Sequence, residues 1–137
     1  MNVLEGETVT IHSNKDKTKA GSRFYIHARN IADALLHILD NCDETLHNYD
    51  SSIGRFNIVG EKETDNLQLA QMIADALGKE LKYEMVDFHS QRPGHDLRYA
   101  LDGEKMKSIG WIHPIAFEDS LQKTIKWTLE NDKWLNI

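Results

Sequence analysis

Residues 92–102 read Arg92-Pro93-Gly94-His95-Asp96-Leu97-Arg98-Tyr99-Ala100-Leu101-Asp102. Proline fixes one backbone angle and glycine permits the angle that other residues avoid, so Pro93-Gly94 makes a sharp corner. A corner of this kind can point Arg92 and His95 to the same side. Two convergent donors, one of them a planar guanidinium, suit a phosphate oxygen pair. The same residues also describe a polar surface turn, with Asp96 orienting His95 or pairing Arg98. What lies on either side of the turn decides between these readings.

Upstream, residues 8–12 alternate polar and apolar and read as a strand. Residues 13–21 are rich in Lys, Asn and Asp and read as a loop. Residues 23–27 (Arg-Phe-Tyr-Ile-His) are aromatic and branched and read as a second strand. From 30 to 40 the spacing becomes helical, with Ile31, Leu35, Ile38 and Leu39 as the stripe expected to face the core. Residues 41–52 read as a loop, and residues 56–59 read as a short strand ending at Gly60. Asp65-Asn66-Leu67-Gln68 is a capping pattern. It opens a helix with Leu67, Ala70, Ile73, Ala74 and Leu77 on its apolar side and Gly78 at its end. Residues 81–87 form another strand candidate. Downstream of the turn, Asp102 is positioned to cap a short helix carrying Met106 and Ile109, closed by Gly110. A final helix follows Pro114, over residues 116–131, with Phe117, Leu121, Ile125 and Leu129 every four residues. Residues 1–5 look like the tail of a helix. Strands interleaved with helices make an α/β protein.

A chain of 137 residues is one domain's worth, residues 1–137 without a dividing linker or repeat. The formal net charge of −6 argues against broad binding of nucleic acid or anionic membranes. No apolar run approaches the ~18 residues of a membrane span, and no leader pattern opens the chain. Cys42 is the only cysteine, which excludes an internal disulfide and makes a reducing, cytoplasmic setting the default. The seven histidines show no helical pair at ligand spacing and no cysteine support, so no metal is expected. Lys15, Lys17 and Lys19 read as a solvated loop, and Trp111, Trp127 and Trp134 as packing anchors around the last helix.

Three segments carry a family resemblance. Residues 92–102 are similar to the R-P-G-H-D-x-R-Y-A-x-D signature of the extended short-chain dehydrogenase/reductases that act on nucleotide sugars as 4,6-dehydratases. Ile109-Gly110-Trp111 followed by Phe117-Glu118-Asp119-Ser120-Leu121 and Thr124-Ile125-Lys126-Trp127 resembles the end of that family's chain. Ser22-Arg23-Phe24-Tyr25-Ile26-His27 followed by Ala32-Asp33-Ala34-Leu35 resembles its R-D-x-x-Y-V segment. The resemblance covers nearly the whole chain but less than half of a complete member. It implies the C-terminal, substrate-binding portion of the fold without the dinucleotide-binding Rossmann half. It also implies NAD as cofactor of a complete member. The sequence contains no G-x-G-x-x-G, and none of Tyr25, Tyr49, Tyr83 or Tyr99 is followed four residues later by Lys. No catalytic or cofactor residue is therefore expected here, and activity alone is not expected.

By the same resemblance, the phosphates of a nucleotide-diphosphate sugar fall to Arg23, to Asn66 and to Arg92, Pro93, Gly94 and His95. A base-contacting strand falls, loosely, on Thr10, Ile11 and His12. Asn66 at a helix start has an anion-favouring setting of its own. Gln91, His27 and Asn30 depart from the family pattern, and the loop after His12 is about four residues longer than the resemblance leads one to expect. Three roles stay open at this point. They are a substrate-binding lobe working with a separate dinucleotide-binding lobe, a stand-alone nucleotide-sugar binding module, and a protein-interaction or self-associating fragment.

Overall fold

The structure is a computed structural model that describes residues 1–41, 54–91, 93–94 and 96–135. Strand β1 (Val9–Ser13) turns Ile11 and Ser13 inward and pairs in parallel with β4 (Tyr83–Asp87), from Val9 opposite Tyr83 to Ser13 opposite Asp87. The Ser13 hydroxyl, fully buried, donates to the Val86 carbonyl at 3.0 Å. Parallel strands need a long crossover. The chain between them includes β2 (Ser22–Phe24), helix α2 (Ala28–Asn41), β3 (Glu63–Asp65) and helix α3 (Asn66–Ala76). Strands β2 and β3 pair antiparallel, with Ser22 opposite Asp65 and Phe24 opposite Glu63.

The capping pattern forms as read. The Gln68 amide donates to Asp65 Oδ1 at 2.8 Å, and the Gln68 side chain receives the Asp65 amide at 3.3 Å. Helix α3 then lays Ala70 against Ile11 and Ala20, with Val9, Leu67, Leu81 and Met85 completing that core. The rest of the chain is α1 (Asn2–Glu5), α4 (Phe88–Gln91), α5 (Glu104–Ser108) and α6 (Phe117–Glu130), followed by a 3-10 turn at Asp132–Trp134. Gly110, at φ 84°, follows α5. A second core gathers Ala34, Met106 and Trp111, with Ile26, Ile38, Phe56, Ile58 and Ile109 packed around them.

Several expectations change. The strand read at 23–27 ends at Phe24, and the one read at 81–87 begins at Tyr83. Residues 56–59 are extended but belong to no sheet among the described residues. Phe56 and Ile58 pack against the second core, while Gly60 passes so close to the Tyr25 carbonyl that an added Cβ would sit 2.2 Å from its oxygen. Of the stripe read on α2, Ile38 packs into the second core, whereas Ile31, Leu35 and Leu39 face outward. Leu35, Leu36 and Leu39 are 52%, 61% and 76% exposed. The inner side of α2 is held by hydrogen bonds to the 109–115 stretch. Asn30 Nδ2 donates to the Ile115 carbonyl at 2.8 Å, Trp111 Nε1 donates to Asp33 Oδ1 at 2.8 Å, and His37 Nε2 lies 2.8 Å from the Ile109 carbonyl. Trp111 is an anchor, but Trp127 and Trp134 are about half exposed and pack on each other at 6.3 Å. Cys42 lies outside the described residues.

Gly60 tolerates no side chain, because the atom it meets is main chain and cannot swing aside. Gly60→Ala is expected to lower stability by about 1–3 kcal/mol. Thermal unfolding followed by circular dichroism measures it, and an unchanged midpoint would contradict the close approach.

Candidate functional site

Four segments meet at Gly21 and Ser22. The Gly21 amide donates to the His12 carbonyl at 3.0 Å, which ties the end of β1 to the start of β2. The Asn66 amide donates to the Gly21 carbonyl at 2.8 Å, which seats the first turn of α3 beside them. On the other edge of β2, the Ser22 amide donates to the Leu97 carbonyl at 3.0 Å and the Tyr99 amide donates to the Ser22 carbonyl at 3.3 Å. This parallel bridge of Ser22 with Arg98 lays the arm leaving the Pro93-Gly94 turn directly on β2. Gly21 permits the crowding. A Cβ there would lie 3.1 Å from the Leu97 oxygen and 3.4 Å from Asn66 Nδ2.

Arg23, on β2, is drawn to that arm. Its Nη1 donates to the Ser22 and Leu97 carbonyls at 2.6 and 2.8 Å, and Nη2 donates to the Asp96 carbonyl at 3.3 Å. The guanidinium lies 4.3 Å from the centre of the Tyr99 ring. A guanidinium has five N–H donors, and three of them are engaged here among the described residues. Asn66 is organised by a residue that the sequence reading passed over. Tyr25 Oη donates to Asn66 Oδ1, and Asn66 Nδ2, beside Gly21, has no hydrogen-bond partner among the described residues. Burial pushes the Tyr25 phenol above its usual range, and Arg23 partly opposes that. The only signal for this role was an aromatic residue two positions after Arg23, which reads equally well as strand packing.

The backbone anion site expected at the start of α3 is already in use. The Asn66 amide goes to Gly21 and the Gln68 amide to the Asp65 carboxylate. What Asn66 can offer an anion is its side chain. Arg98 does not pair with Asp96. Its Nε and Nη2 grip both oxygens of Glu63 on β3, at 2.7 and 2.9 Å. The Ser22 hydroxyl donates to the same carboxylate, and these contacts hold the Glu63 carboxyl at about 2.

Of the remaining residues named from the sequence, Pro93 and Gly94 form an exposed turn with Gly94 at φ 83°. Arg92 and His95 lie outside the described residues. The Ile11 side chain is 4% exposed and sits in the first core. Thr10 faces solvent and donates to Glu84 at 3.3 Å, and the His12 ring packs on Phe88 at 5.2 Å. The structure thus brings Arg23, Asn66 and the arm after the turn together, whereas the side chains of Thr10, Ile11 and His12 are engaged with β4, the core and Phe88. A cavity of about 470 Å³ lined by Phe24, Asn57, Asp102 and His113 lies elsewhere, and neither Arg23 nor Asn66 lines it.

No protein-family model matches the chain. Among curated proteins it is similar to dTDP-glucose 4,6-dehydratase 1 of Escherichia coli, 32% identical over 144 residues, covering 99% of this chain and 36% of that protein. The dTDP-glucose 4,6-dehydratase of Neisseria meningitidis is 38% identical over 90 residues, covering 58% of this chain and 25% of the relative. Among solved structures, dTDP-glucose 4,6-dehydratase from Bacillus anthracis in complex with NAD superposes with a TM-score of 0.70 at 29% identity, over 97% of this chain and 38% of that one. A UDP-glucuronic acid 4-epimerase from Bacillus cereus shares the fold, with a TM-score of 0.72 at 16% identity. The chain spans little more than a third of the length of the first of these relatives.

The Glu63 clamp has a pH signature. A carboxyl held at about 2 when folded, against an ordinary value of 4.5, stabilises the fold fully above the ordinary value. That contribution is lost as pH falls from about 4.5 toward 2. Thermal midpoints of the parent and Glu63→Gln are expected to differ most at neutral pH and to converge toward pH 2. A constant gap across that window would contradict the clamp.

Proposed function

We propose, from the premise that this chain is the C-terminal part of an extended short-chain dehydrogenase/reductase of the dTDP-glucose 4,6-dehydratase type, that it holds the diphosphate of a nucleotide sugar and does not perform the family's chemistry alone. Residues 1–137 act on this reading as one substrate-binding lobe. The observation that carries it is the meeting of four segments at Gly21 and Ser22. It sets the Arg23 guanidinium, the side-chain amide of Asn66 and the arm of the Pro93-Gly94 turn within one neighbourhood. A diphosphate carries about two negative charges, which Arg23 and Arg92 offset, while Asn66 and His95 supply directed donors. Tyr25 keeps the Asn66 amide oriented and the Tyr99 ring lies under the Arg23 guanidinium, so little ordering is left for the ligand to impose.

The residues present do not fit NAD. A bound dinucleotide supplies and returns a hydride, and its pyrophosphate needs a glycine-lined helix start. Among the described residues two helices directly follow a strand, α3 after Asp65 and α4 after Asp87; neither start carries a glycine, and the first turn of α3 is capped by its own side chains. Redox chemistry therefore belongs to a separate dinucleotide-binding lobe. No described helix is long and apolar enough to cross a membrane, and a cytoplasmic setting accompanies the proposal.

Calorimetry with dTDP-glucose tests the reading. Asn66→Ala and Arg92→Ala are each expected to weaken binding by about 1.5–3 kcal/mol, the worth of a hydrogen bond to a charged group. Unchanged affinity in both, or no heat at all from the parent chain at millimolar ligand, would sink the proposal. Dehydratase activity is expected only when a separately produced dinucleotide-binding lobe is added.

A further inference from the structure

Between the start of α2 and helix α6 lies a cavity of about 540 Å³ that neither Arg23 nor Asn66 lines. Small-molecule sites fall in the range of roughly 300–1,000 Å³. Its titratable lining is His27, Arg29 and Lys123, with no carboxylate among the described residues. In a chain of formal net charge −6, that lining runs against the average surface.

The carboxylates best placed to neutralise the two cations do not do so. On a helix the ordinary partner stands four residues away. Asp33, four residues after Arg29, accepts the Trp111 indole N–H instead. Asp119, four residues before Lys123, forms no ion pair among the described residues, whereas Lys126 on the same helix lies 3.8 Å from Glu130. Arg29 and Lys123 are both exposed, and neither has an ion-pair partner among the described residues.

The other polar groups of the lining add donors. His27 Nδ1 accepts the Arg29 amide at 3.0 Å, so the neutral ring carries its proton on Nε2. Ser120, 6% exposed, also lines the cavity, and its hydroxyl has no hydrogen-bond partner among the described residues. Buried hydroxyls are normally paired, so this one is polar capacity that the fold does not spend. The apolar part of the lining includes Trp127, which is 51% exposed and backed by Trp134 at 6.3 Å. An indole exposed to that extent offers a flat surface on which a second ring stacks.

We propose that this cavity binds a small aromatic anion, a flat ring bearing one phosphate or carboxylate, with the anionic group on Arg29 and Lys123 and the ring on Trp127. The guanidinium meets either group through two parallel N–H bonds, and the ammonium adds a point charge. Both cations are exposed and screened by solvent, so the expected dissociation constant is on the order of 1 mM. The site is distinct from the diphosphate reading and does not rest on it.

Titration of the full chain with phenyl phosphate and with benzoate, followed by the indole N–H resonances, tests this. The resonance that Trp127→Phe removes is expected to shift, and the tighter of the two ligands names the preferred anionic group. Benzyl alcohol, the ring without the charge, and inorganic phosphate, the charge without the ring, are expected to bind roughly fivefold more weakly or worse. Arg29→Gln and Lys123→Gln are each expected to weaken binding about threefold to fivefold without moving the thermal midpoint, and Asn66→Ala to leave it unchanged. No shift up to about 20 mM ligand, well beyond the expected constant, would overturn the proposal. So would equal affinity for inorganic phosphate or benzyl alcohol, or indifference to both charge substitutions. A loss in Asn66→Ala equal to that in Lys123→Gln would overturn it too, by placing the probe beside Arg23. The result with dTDP-glucose has no bearing on any of these outcomes.

Discussion

The structure depends on one short contact, the main chain of residues 97–99 laid against Ser22. Two hydrogen bonds make it, and two charged side chains lock it from either side. Arg23 reaches across to the Leu97 and Asp96 carbonyls, and Arg98 reaches back to Glu63 on the far strand of the same small sheet. Because Ser22 is also opposite Asp65, this contact fixes three segments that are far apart in the chain: β2, the start of α3 and the arm of the Pro93-Gly94 turn. A two-stranded sheet alone is marginal in water. Here the added arm, held by its own Arg98 and by Arg23 of β2, supplies the missing neighbour.

On the proposed reading, that arrangement gives Arg23 two roles. A guanidinium placed only for a ligand would be free to swing, and its ordering would then weigh against binding. Bonded to three carbonyls, with the Tyr99 ring under it, it is already ordered. Asn66 follows the same logic through Tyr25. The proposed site draws on side chains that also hold the fold together.

Helix α2 obeys a different constraint. Its inner face is chosen by hydrogen bonds, with Asn30, Asp33 and His37 meeting the 109–115 stretch, and only Ala34 and Ile38 lie between them in the core. Burying a polar group costs little once it is paired. The leucines then have no inward place left, and the helix carries an apolar face to its surface.

Local patterns in the sequence determined much of this chain. They placed the Asp65–Gln68 capping box, the glycine that ends α5, the turn at Pro93-Gly94, the positions of β1, α3, α5 and α6, and the resemblance carried by residues 92–102. Each rests on the chemistry of a few adjacent residues, so it survives without knowledge of the rest. Tertiary structure alone decided which face of α2 is buried, that residues 56–59 find no strand partner among the described residues, that Arg98 pairs with Glu63 rather than Asp96, and that Tyr25 holds Asn66. Periodicity states that a helix has an apolar side but not which element competes for the other one. A hydrogen bond between residues 41 positions apart leaves no mark on the spacing of either.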